Sequence, residues 1–152
     1  MPFISEDIIN KVVAQTEQTT EEQITFFNQR QPMLLAYLTG SQFDLLNEQE
    51  KDYFLYLAWI LHQSIAQGAE SISIANEDQI GTAEEQNWEM MEKTSKGDFR
   101  KRLDPFFEKT LQEDLLAFIE DGIIDDEEDF ITPVGRELMF VGLKTLVDVL
   151  SN

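Results

Sequence analysis

The chain has 152 residues, no cysteine, and 30 acidic against 11 basic side chains, which gives a formal net charge of -19 at pH 7. The missing cysteine excludes disulfides, thiolate catalysis and cysteine-rich zinc sites, and suits a reducing compartment, so a cytoplasmic location is expected. A surface this acidic repels phosphate backbones and anionic headgroups, so neither nucleic acid nor membrane is an expected partner.

Hydrophobic residues make up 42% of the chain, with 11 Phe, 3 Tyr and 2 Trp. That is the composition of a folding protein, and the length suits one domain over residues 1–152. Residues 1–7 lack the basic start and apolar stretch of a signal peptide. The longest apolar run, residues 53–61, is far below the roughly 20 residues needed to span a bilayer.

In chain order, Ser5 predicts a short helix carrying Ile8, Ile9, Val12 and Val13. Thr20 and Gln23 have the spacing of a capping box for a second helix. Pro32 disfavours helical geometry at Gln31, so the chain is expected to restart there and run to Gly40. Asn47 and Glu50 open the strongest helix, over residues 47–67. Being apolar nearly all round, it is expected at the centre of the bundle.

Ile72, Ser73 and Ile74 alternate as a short strand would, whereas Asn76, Glu77, Asp78 and Gly81 argue for a loop, with the next helix starting at Thr82 and Glu85. Asp104 and Pro105 predict a single helix bearing Phe107, Leu111, Leu115 and Phe118 and stopping at Gly122. Thr132 followed by Pro133 opens a last helix through Leu150. The fold class expected is all-α: a compact bundle of six to seven helices around the central helix 47–67, with room for one small β-hairpin near residues 123–132.

That hairpin carries a resemblance. A helix ending in Gly122, Ile123 and Ile124, an acidic turn, then Phe130, Ile131, Thr132, Pro133, Val134 and Gly135 resembles the wing and following helix of winged-helix proteins. The resemblance implies a wing-like interaction surface. It does not extend to DNA reading, which would require basic residues where Glu113, Asp114, Glu120 and Asp121 stand.

Catalytic signatures are few. His62 is the only histidine and shares a helix side with Leu55, Ala58 and Trp59, which favours a partly buried, hydrogen-bonded core residue over a catalytic base. One histidine excludes the paired Glu-x-x-His elements of helical di-iron proteins and the two-histidine zinc protease helix. Glu85, Glu89 and Glu92 share a helical face, and residues 120–129 are densely acidic, yet neither group has EF-hand spacing. No nucleophile elbow or phosphate-cradling glycine loop occurs. No catalytic, cofactor-binding or metal-binding residue is assigned, and no cofactor is expected.

Two charged patches remain. Glu120, Asp121, Asp125, Asp126, Glu127, Glu128 and Asp129 form the candidate surface for a basic protein partner. Lys93, Lys96, Arg100, Lys101 and Arg102 form the one patch suited to an anion or an acidic partner, or to neutralising an acidic face of the same fold or of a second subunit. Gly135 and Gly142 lie on one side of the last helix, which suits close packing within the fold or across a homodimer. The leading expectation is a non-enzymatic interaction module whose acidic surface engages a basic protein. The rivals are a winged-helix-like interaction domain and an enzyme or small-ligand protein with an aromatic pocket near Trp59, lined by Tyr53, Tyr56, Phe106 and Phe107.

Overall fold

A computed structural model of the chain describes residues 1–94, 97–124 and 130–151. They form an all-helical bundle: α1 (Glu6–Ala14), α2 (Glu21–Arg30), α3 (Pro32–Leu38), a 3-10 turn (Ser41–Phe43), α4 (Glu48–Gly68), α5 (Glu77–Lys93), α6 (Phe99–Arg102), α7 (Asp104–Lys109), α8 (Glu113–Ile124) and α9 (Pro133–Leu150). Among the described residues there is no strand, and no helix is long and apolar enough to cross a membrane.

Local capping chemistry sets several of these boundaries. Thr20 with Gln23 and Asn47 with Glu50 form reciprocal capping boxes, each satisfying two backbone donors that the first helical turn leaves free. Thr132 accepts from the Gly135 amide at the start of α9, and Pro32 begins α3. Ser5 occupies the N-cap position of α1 without a side-chain cap bond.

Three expectations need correction. Helix α5 begins at Glu77, not near Thr82, because Asn76 and Gln79 form a third capping box. Gly81 is therefore inside the helix, exposed and with open space beside it. The stripe expected from Phe107 to Phe118 is broken at residues 110–112. Here the Thr110 hydroxyl accepts from the Gln112 amide, while the buried Gln112 side chain accepts from Ile4 N–H and donates to the Pro2 carbonyl. Tying down the N-terminal segment costs helix continuity and leaves Leu111 88% exposed. With the short α6 before it, this region holds three helices where one was expected. Finally, Ile123 and Ile124 are the last turn of α8, so the first arm of the expected hairpin is helical. Its acidic turn, residues 125–129, lies outside the described residues.

The core is also shared differently. Helix α4 packs on α1, α8 and α9, but α9 is the more deeply enclosed, lying against α4, α5 and α8 with residues 138–143 all buried. The two helices approach closely because α9 is smooth where they meet. A Cβ on Gly142 would come within 2.6 Å of Phe54 Cζ and 2.9 Å of Phe43 Cζ, and one on Gly135 would collide with Glu50 Oε2. The smooth side of α9 is thus used inside the fold. Glu50 completes this joint: 1% exposed, it accepts from Asn47 N–H through Oε1, and from the Thr132 N–H and hydroxyl through Oε2. One carboxylate therefore caps α4 and secures the entry to α9.

Candidate functional site

A concavity of about 1190 Å³ lies between the segment leading into α2 and the first half of α4. Its lining includes Glu17, Glu21 and Asp52, all exposed, over a floor of Ile24, Tyr53, Tyr56 and Phe130. Among the described residues no lysine or arginine lines it. Tyr53 and Tyr56, three residues apart on α4, stack at 6.2 Å between ring centroids, and Phe130 stands edge-on to Tyr53 at 5.4 Å. Both hydroxyls are anchored from behind: Tyr53 donates to the Gly122 carbonyl at 2.6 Å and Tyr56 to the Thr16 carbonyl at 3.3 Å. Burial pushes the Tyr56 phenol above its ordinary value, so it stays a neutral donor at physiological pH. The result is a prefixed aromatic floor under a negative rim. Such a surface can hold a cationic side chain by ring quadrupole and carboxylate together.

The five residues of the expected aromatic pocket do not share one cavity. Tyr53 and Tyr56 floor the groove. Trp59 is buried against Phe26, Phe27 and His62. Phe106 packs on Phe140 in the core, and Phe107 is half-buried against it.

His62 is 3% exposed and stacks on Phe27 with centroids 4.7 Å apart. Burial first, and the nearby Arg30 charge second, lower its pKa from 6.5 to about 4. Contrary to the expectation of a hydrogen-bonded core histidine, its Nδ1 has no hydrogen-bond partner.

The two charged patches touch at Arg100. Arg100 pairs with Glu120 at 2.7 Å and lies 3.9 Å from Asp121. Arg102 pairs with Glu137 at 2.6 Å and donates to the Thr94 and Met91 carbonyls, closing the C-terminus of α5. Burial raises the Glu120 carboxyl pKa, and the Arg100 charge opposes that rise. Lys93 ends α5 and is exposed, as is Lys101 in α6. Lys96 and the candidate partner-binding residues Asp125, Asp126, Glu127, Glu128 and Asp129 lie outside the described residues. Among the described residues no three carboxylate or imidazole groups converge to hold a metal ion.

Sequence reading missed the groove because its rim comes from three separated places, residues 17–21, 49–56 and 130. The one local signal was Asp52, Tyr53 and Tyr56 within a single turn of α4. The sequence matches no family model, and no match was found among curated proteins or solved structures. Fold and site together describe an all-helical protein with an acid-rimmed aromatic groove.

Proposed function

We propose that this chain is a non-enzymatic interaction module, acting as one acidic helical domain in the cytoplasm, and that it engages a basic segment of a partner protein in the groove between α2 and α4. The observation that carries this reading is the stacked Tyr53 and Tyr56 pair beneath Glu17, Glu21 and Asp52, with no basic residue among the described residues of the lining. An arginine or lysine laid on the tyrosine faces gains roughly 0.5–2 kcal/mol from the ring quadrupole, depending on how far it is desolvated. The rim carboxylates and the net charge of -19 steer a basic partner inward and speed its association. A non-enzymatic role is supported by His62, whose imidazole is packed under Phe27 and away from the groove.

The test is affinity capture from native lysate with the wild-type chain and with the triple variant Glu17→Lys, Glu21→Lys, Asp52→Lys, each at low and high salt. A basic protein held stoichiometrically by the wild type, released by salt and lost with the variant is the expected result. Equal recovery on both baits, or none on the wild type at low salt, refutes the proposal.

A further inference from the structure

A second concavity, about 450 Å³, opens between the C-terminal halves of α2 and α4, walled on its far side by the extended segment 69–75. This wall is built in. Gln31 is 2% exposed, and its amide donates to the Ser73 carbonyl and accepts from Ala75 N–H. A buried polar side chain that ties one segment of a cavity wall at two points holds its shape in the absence of any ligand.

Three features of the lining bear on what it can hold. His62 lines the cavity, although its Nδ1, which lacks a hydrogen-bond partner, is itself sealed from the cavity space. Arg30 lays its guanidinium over the Phe26 ring at 4.9 Å and has no ion pair among the described residues, in a chain with 30 acidic side chains. Phe26 and Ile74 are exposed large apolar side chains, and with Ile72 they give the cavity an apolar side. A cation and an apolar wall within one concavity match a small amphipathic anion.

We propose that this cavity binds a small monocarboxylate with a short aliphatic chain. Its carboxylate pairs with Arg30, beside the His62 ring, while its chain lies on Phe26, Ile72 and Ile74. Glu70, also in the lining and exposed, repels a second negative charge, so a dicarboxylate binds more weakly. This site is independent of the acidic groove and stands whether or not the groove takes a partner.

The single histidine makes the His62 imidazole a unique NMR reporter. The experiment titrates hexanoate into the full chain at constant neutral pH and follows the imidazole signals, with hexylamine and adipate as controls. Saturable His62 shifts with hexanoate, none with hexylamine and weaker binding of adipate are expected. Arg30→Gln, at an exposed position, weakens hexanoate by roughly tenfold or more, as loss of a charge-assisted bond does. Ile74→Asp, also exposed, abolishes saturation by placing a like charge on the apolar wall. The absence of saturable shifts with hexanoate, equal shifts with hexylamine, or an undiminished response in Arg30→Gln overturns the assignment.

Discussion

Along the α2–α4 pair, the first turns of both helices carry the groove and the last turns carry the cavity, so the two concavities differ in charge although they share a scaffold. Glu21 and Glu22 fall in the first turn of α2 and Arg30 in its last, while Glu48 and Glu50 open α4. This is the distribution the helix dipole favours, with anions where free N–H groups point outward and cations where carbonyls do. Two helices running the same way therefore gather negative charge at one end and leave an arginine at the other. The partition between the ends is aromatic: Phe27, fully buried, lies against both Trp59 and His62. Charge placement that stabilises individual helices also divides their shared face into two sites of opposite preference.

Removing the partition should have the largest effect. Phe27→Ala is expected to cost about 3–5 kcal/mol, the range for emptying a buried phenylalanine site, measured by urea unfolding. A cost below about 1 kcal/mol would mean that the wall between groove and cavity is not rigid.

Acid should act next, through His62 on the cavity side. Between pH 6.5 and about 4 the unfolded chain binds the proton that folded His62 refuses. Stability contributed by this residue therefore falls as pH drops through that window and levels off below it, by roughly 3 kcal/mol in all. Arg30 and Glu70 share the cavity with His62, so the comparison is made against His62→Phe, which keeps the aromatic packing and should lack this component. Parallel pH profiles for the two proteins would contradict the burial of His62.

At the α4–α9 joint, Glu50→Ala strips acceptors from the Asn47 and Thr132 amides and should cost about 2–3 kcal/mol, with Glu50→Gln losing less. Thermal unfolding at neutral pH separates the pair of variants. The smallest expected change is on the groove floor. Tyr53→Phe loses the bond to the Gly122 carbonyl and about 1 kcal/mol, and Tyr56→Phe, whose bond is longer, loses less. If the order of these two reversed, Tyr56 rather than Tyr53 would be the anchor of the stack.

Much of the helical layout was legible in the sequence because capping is local. Thr20 with Gln23, Asn47 with Glu50, and Thr132 before Pro133 bond within three residues of themselves, so their spacing alone locates α2, α4 and α9. Asn76 and Gln79 carried the same signal, but it was outweighed by Gly81. An exposed glycine in a helix costs only about 1 kcal/mol against alanine, which a good cap and a long packed helix override.

What only the tertiary structure decided depends on residues far apart in sequence. Gln112 interrupts the expected long helix because its amide bonds to Pro2 and Ile4, about a hundred positions away. Arg100 and Glu120, twenty residues apart, meet as an ion pair, so that part of the basic segment neutralises an acidic face of its own fold. Tyr53, Trp59 and Phe106 part company because the packing of α2, α9 and Phe130 sends each ring to a different neighbour. Periodicity and cap chemistry report bonds a chain makes with its own next turn, whereas grooves and cavities are made where separate helices meet, and their linings appear only once the core has set those meetings.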